Sequence, residues 1–172
     1  RTPHIQLACE KNLALLVEKP LADTLAEAET FVARAQAANI PLMVGLNFRY
    51  LGVTRAVCQL LKQKTVGDAA FARFTYERYR DGRAPHLNKY PLTMAHPMLW
   101  EQSIHHFDLL RFVYSQEVAS VYCQTWNPSW SHYAHDTNVS AIFTLTNGMI
   151  VNYQGTWQSG WREPHFEWRT DC

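Results

Sequence analysis

Apolar and polar positions divide the chain into two stretches of different period. Residues 4–11 (HIQLACEK) have the spacing of a helix end, Asn12 suits a left-handed cap, and Leu13 to Val17 is an unbroken apolar run of buried-strand length. Thr24 and Glu27 then form a T-x-x-E capping box, with Leu25, Ala28, Val32 and Ala35 at helical spacing and a close near Asn39. Pro41 introduces "PLMVGLN", a second buried-looking strand ending in Gly45 and Asn47. Two such strands joined by one helix predict a right-handed, parallel βαβ unit.

"VTRAVCQLLKQKTVGD" predicts another helix, with Gly67 after its end, and from Asp68 the period changes to two. Residues 68–80 (DAAFARFTYERYR) read as a long strand with one polar face, the proline-rich stretch from Asp81 to Pro97 as a loop, and Leu99 to Tyr114 as a helix. Strands are expected at 117–126, 137–146, 149–158 and 166–170, and "TNG" at 146–148 is the clearest hairpin signal. The fold class is therefore α/β plus α+β. A parallel unit over residues 1–48 precedes a mostly antiparallel open sheet, with a long helix on one face, over 49–172.

Composition narrows the partners. The chain has 172 residues, 47% hydrophobic and 18% charged, with a formal net charge of +1. That balance, with basic residues scattered, gives no electrostatic case for a nucleic-acid or acidic-membrane partner and leaves small neutral molecules as the default ligand. Cys9, Cys58, Cys123 and Cys172 lie far apart without C-x-x-C spacing, which suggests neither a zinc ribbon nor a disulfide framework and fits a reducing, cytoplasmic compartment. No apolar run approaches the roughly 18 residues needed to span a bilayer.

Two places carry candidate chemistry. Ligands of open parallel sheets bind outside the carboxyl ends of the strands, where Glu18-Lys19-Pro20 and the segment from Gly45 to Tyr50 both fall. The pre-proline position biases Lys19 to extended geometry, and a lysine in a dry pocket or beside a cationic ring suits proton transfer to or from a hydroxyl. A solvated ion pair before a helix-start proline explains the same residues. On "LWEQSIHHFDLLRFVY", Glu101, His105 and Asp108 fall within roughly 60° of one another at 100° per residue, while His106 and Leu110 point elsewhere. An imidazole between two carboxylates is held in one tautomer and made more basic, as a general base requires; a polar helix face with a histidine salt bridge is the alternative. No H-x-x-x-H pair occurs, so no metal is expected. Trp126, Trp130, Trp157, Trp161 and Trp168 are read first as sheet packing and second as a sugar-stacking or interface surface.

In this order, "LLVEKPLADTLAEAETFVARAQAANIPLMVGLNFRY", "VGDAAFARFTYER", "SIHHFDLLRFV" and "NGMIVNYQGTW" resemble the glucose-fructose oxidoreductase, inositol dehydrogenase and rhizopine-catabolism (Gfo/Idh/MocA) family over nearly the whole chain. The resemblance implies a Rossmann-type first part, NAD or NADP as cofactor, and hydride transfer to or from a carbon of a sugar, polyol or related ring. It implies that Lys19 contacts the reacting hydroxyl and that Glu18 and Pro20 shape the nicotinamide side of the pocket. Asn47 is implied near the cofactor, with Arg49 and Tyr50 on the substrate side. His105 matches the family's acid/base, Asp108 its partner, and Glu101 stands where many members have aspartate.

The family's opening G-x-G-x-x-G turn is not in this sequence, whose first glycine is Gly45. The chain therefore reads as the middle of a longer enzyme, expected to bind nicotinamide cofactor poorly alone. A second expectation is a homo-oligomer or binding module using an open sheet face, with Phe74, Tyr76, Tyr122, Trp126, Tyr153 and Trp157 as contacts.

Overall fold

Short apolar runs become strands here because helices cover one side of them. In the computed structural model, which describes residues 1–160 and 163–172, the chain divides into two units, Arg1–Asn47 and Phe48–Cys172. In the first, helix α1 (Thr2–Lys11) ends on Asn12 at φ 52° and leads into strand β1 (Leu15–Val17). Helix α2 (Leu25–Ala37) starts at Thr24, whose side chain accepts a hydrogen bond from Glu27 N at 3.2 Å, as the capping pattern predicts. Strand β2 (Leu42–Val44) then pairs with β1 in parallel, Leu15 opposite Leu42 and Val17 opposite Val44.

Ala8, Ala35 and Ile40 form the small core beneath Leu15 and Leu42. The paired Leu16 and Met43 lie on the other face and are 72% and 43% exposed. The strands are thus covered on one side only, where the apolar runs predicted burial on both.

The second unit begins with a 3₁₀ turn continuing from Asn47 to Tyr50 and helix α3 (Gly52–Lys62). Strand β3 (Phe71–Glu77) follows, then the loop with a 3₁₀ turn at Tyr90–Leu92. The expected single helix from Leu99 is two segments, a π-helical stretch at Met98–Ser103 and helix α4 (Ile104–Tyr114). Strands β4 (Val118–Trp126), β5 (Asn138–Leu145), β6 (Ile150–Thr156) and β7 (His165–Asp171) complete a sheet of order β4-β5-β6-β3-β7. Every neighbouring pair is antiparallel except β3 with β6. The β5–β6 hairpin turns on Gly148 at φ +86°, where a side chain would be strained; Leu145 N bonds Met149 O at 2.9 Å.

Register decides which side chains are buried. Ala72, Phe74 and Tyr76 of β3 point to the same face as Val151 and Tyr153 of β6, and α4 packs there with Leu109 and Leu110. Phe107 of α4 meets Phe143 and Tyr153 edge-on, with centroids 5.1 and 5.0 Å apart. The opposite face carries the laterally aligned row Tyr122, Ile142, Asn152, Arg73 and Arg169. Of the six aromatics expected on an open face, Phe74, Tyr76, Tyr153 and Trp157 are instead buried against the helix side. Only Tyr122 and Trp126 are exposed, because a period of two places odd and even positions on opposite faces.

Candidate active site

In the first unit, Glu18, Lys19 and Pro20 leave the carboxyl end of β1, and Gly45, Leu46 and Asn47 leave that of β2. Gly45 N bonds Val17 O at 2.7 Å, which holds the two exits side by side. A Cβ on Gly45 would stand 3.4 Å from Val17 O, an ordinary van der Waals contact. The Arg1 guanidinium donates to the carbonyls of Glu18 and Pro20, fixing the backbone on both sides of Lys19.

In the second unit the structure joins Arg49 to Asp108. Arg49 Nε donates to Asp108 Oδ2 at 2.6 Å and its Nη2 to Oδ1, a two-pronged contact that engages both carboxylate oxygens. Asp108 is 7% exposed, and Arg49 also lies 5.0 Å from the Phe112 ring centre. The hydrogen bond it donates to Asp108 holds the Arg49 guanidinium above its usual range, against the opposing effect of burial. His105, 9% exposed, stacks on Phe48 at 4.5 Å and 17°, which fixes the plane of the imidazole.

Of the three residues of the stripe, His105 and Asp108 lie on α4 and Glu101 precedes it. Glu101 belongs to the π-helical stretch, where Ile104 N–H bonds Leu99 O across five residues, so the turn is wider than the 100° step assumes. Burial, and then a hydrogen bond to Glu101, push the Tyr90 hydroxyl up to about 12. Tyr50 is 58% exposed.

His106 is the residue that sequence reasoning set aside. It is fully buried, touches Phe74 and Tyr76 at ring distances of 4.8 and 5.0 Å, and sits within a polar chain. Gln102 Nε2 lies 3.1 Å from His106 Nε2, His106 Nδ1 lies 2.9 Å from Tyr153 Oη, and Tyr153 Oη lies 2.8 Å from Ser103 Oγ. An amide nitrogen can only donate, so His106 Nε2 accepts and the neutral ring carries its proton on Nδ1. Nδ1–H then donates to Tyr153, which donates to Ser103. Burial, then the neighbouring His105, lower the His106 pKa to about 3, so the ring is neutral at ordinary pH. His106 is thereby unsuited to acid/base work near neutrality and suited to holding the π-to-α junction beside His105.

A cavity of about 570 Å³ adjoins this network, walled by Phe48, Val57, Leu109, Phe166 and Trp168, with His106 at its edge. Its lining is mostly apolar. Trp157 is buried and Trp168 Nε1 donates to Tyr114 Oη at 2.8 Å, whereas Trp126 and Trp130 are exposed. Trp161 lies outside the described residues. No cluster of three or more His, Cys, Asp or Glu with metal-holding geometry occurs among the described residues.

Residues 54–170 match the model of the GFO/IDH/MocA C-terminal domain. An uncharacterised protein of Sinorhizobium fredii is 27% identical over 157 residues, covering 88% of this chain and 42% of that protein. A D-apiose dehydrogenase of Paraburkholderia graminis is 30% identical over 112 residues, covering 64% of this chain and 29% of the enzyme. The crystal structure of an oxidoreductase from Agrobacterium radiobacter, in complex with NAD+, L-tartaric acid and magnesium, superposes with a TM-score of 0.85 at 21% identity. That superposition covers 96% of this chain and 49% of the other. The chain thus spans less than half the length of each of these proteins.

Proposed function

Because the chain belongs to the GFO/IDH/MocA family, we propose that it serves a nicotinamide-dependent oxidoreductase acting on an alcohol carbon of a sugar or polyol. The observation that carries this is the family match over 54–170, with Glu18-Lys19-Pro20 standing upstream where two parallel strands end. The dehydrogenase relative supports the substrate class.

In this reading NAD or NADP, bound by Glu18, Lys19, Pro20 and Asn47, accepts or gives the hydride. The residues at that edge fit the nicotinamide end of such a cofactor: Gly45 leaves room for close approach, and Lys19 and Asn47 offer hydrogen-bond donors. A Gly-rich phosphate turn is not in the sequence. Lys19 moves the hydroxyl proton, and His105 is an acid/base residue of the second unit. His105 suits an acid/base role because stacking on Phe48 fixes its ring plane. Arg49 and Asp108 brace the helix that carries His105, Glu101 binds a substrate hydroxyl, and Tyr50 lines the substrate side.

Lys19→Ala in the full-length parent tests this reading. Turnover should fall at least about a hundredfold, as for loss of a general acid/base, with assembly unchanged. Unchanged turnover would overturn it.

A second reading is favoured by one observation. Tyr122 and Ile142, aligned in register, are 66% and 48% exposed on the open face of the sheet. In this reading the face is the contact of a homo-oligomer. Light scattering should find a dimer or larger species that Tyr122→Arg converts to monomer; monomer alone at high concentration would contradict it.

A further inference from the structure

The apolar cavity of the second unit contains two hydroxyls that the protein itself leaves unbonded. Its floor is formed by Thr54 of α3, Tyr76 of β3, and His106 and Leu109 of α4, none more than 7% exposed. Its rim carries Val53 and Phe166, 68% and 46% exposed, so the cavity opens to solvent. Three of the polar side chains in the lining are matched within the protein. His106 bonds Gln102 and Tyr153, while Trp168 Nε1 and Thr170 Oγ1 both meet Tyr114 Oη, at 2.8 and 2.7 Å. Tyr76 Oη and Thr54 Oγ1 form no hydrogen bond among the described residues. Thr30 of α2, by contrast, returns its hydroxyl to Ala26 O at 2.9 Å. Neither of the two free hydroxyls is fully enclosed, and since both residues are otherwise buried, their accessible surface opens into the cavity they line.

A hydroxyl deep in an apolar cavity is costly unless something there bonds it. Water does so while the cavity is open, and a ligand hydroxyl can take the same place because it both donates and accepts. The walls select what that hydroxyl is attached to. Phe48, Tyr76, Phe166 and Trp168 supply four aromatic rings, which suit a flat apolar body. No Asp, Glu, Lys or Arg is among the described lining residues, and the His106 ring is neutral at ordinary pH. A charged group would therefore lose its water there and find nothing to pair with. The volume of about 570 Å³ is that of a small-molecule site, roughly 300–1,000 Å³.

We propose that this cavity binds a neutral phenol or ring alcohol, its flat apolar body against the aromatic walls and its hydroxyl bonded to Tyr76 and Thr54. A sugar or polyol does not fit, because most of its hydroxyls would face apolar walls. All of the lining residues belong to the second unit, and the site does not rest on the oxidoreductase reading. Phe48 nevertheless links the two: its ring walls the cavity and stacks on His105, so an occupant touches the residue that orients that imidazole.

Two-dimensional NMR titration of the 172-residue chain with 2-naphthol, 2-methylnaphthalene, 2-naphthoate and sorbitol tests the site. 2-Naphthol should shift the amide signals of Tyr76, Leu109 and Phe166 and bind at least about tenfold more tightly than 2-methylnaphthalene, as one hydrogen bond in a dry site provides. 2-Naphthoate and sorbitol should bind at least about tenfold more weakly than 2-naphthol. Tyr76→Phe should remove most of the advantage of 2-naphthol and leave 2-methylnaphthalene unchanged. Its melting temperature should not fall, because the deleted hydroxyl has no protein partner. Thr54→Val should also weaken 2-naphthol alone, and keeps the test open if Tyr76→Phe unfolds.

Equal binding of 2-naphthol and 2-methylnaphthalene, binding of neither, preference for the carboxylate or for sorbitol, or an affinity indifferent to both substitutions would each overturn the proposal. So would 2-naphthol binding by the 172-residue chain that the full-length parent lacks, since another part of the polypeptide would then fill the cavity. Failure of the site would leave the oxidoreductase reading in place. Conversely, Tyr76-dependent binding of 2-naphthol would stand even if the parent protein transferred no hydride.

Discussion

His106 and Tyr153 share a hydrogen bond and are both buried, and that makes both sensitive to small chemical changes. Tyr153→Phe deletes the acceptor of the His106 Nδ1–H and leaves that donor buried and unmatched. The expected loss is about 1–3 kcal/mol, read as a lower denaturation midpoint at unchanged slope. The pH dependence follows from the depressed pKa of His106. In the unfolded chain a histidine titrates near 6.5, and in the folded chain this one titrates at about 3. Between those values the unfolded state binds more protons, so the contribution is complete above roughly pH 6.5 and is lost as pH falls toward 3. Urea midpoints across that window should decline less steeply in His106→Gln than in the unchanged protein. Parallel slopes would mean that His106 protonates freely in the folded state.

At the scale of elements, the junction of the π-helical stretch with α4 and the close pass of β6 define the site's frame. A Cβ at Gly155 would lie 2.5 Å from Tyr153 Oη and 2.7 Å from Met98 Cε. Gly155→Ala should therefore displace the buried hydroxyl and cost about 1–3 kcal/mol by overpacking, visible as a lower melting temperature. Helices and strands were legible in the sequence where one period ran unbroken. The Thr24 cap, the Asn12 turn and the Asn147-Gly148 hairpin each form as their residue types require. The π-helical stretch was not legible, because "MLWEQS" has apolar and polar residues compatible with an ordinary helix and the wider turn arises from packing. His106 was passed over for the same reason: an ideal 100° step turned it away from the charged stripe and gave no measure of burial. A useful signal lay in Gln102, four residues earlier, and in Tyr153 at an inward position of β6. The contact of Arg49 with Asp108 spans 59 positions, so spacing on one helix had no means of finding it.

For the molecule as a whole, the first unit leaves Leu16 and Met43 exposed on one face of its two strands. Doubly wound sheets cover both faces, so this exposure supports reading residues 1–47 as half of a dinucleotide-binding sheet. That reading predicts weak cofactor binding by the 172-residue chain, since its sequence has no Gly-rich turn to cradle a pyrophosphate. Titration with NADH and NADPH should give no saturation in the micromolar range; micromolar binding of either would contradict it. No helix among the described residues is long and apolar enough to cross a membrane.

In the proposed reaction Lys19 works on a hydroxyl beside a nicotinamide ring. The most direct measurement is single-turnover reduction of NAD+ and NADP+ by the full-length parent protein, with a panel of sugars and polyols, in the unchanged and Lys19→Ala forms. Reduced nicotinamide should form with at least one alcohol, and the rate should fall at least about a hundredfold in the variant. Equal rates in both forms, or no reduction with any alcohol, would contradict it.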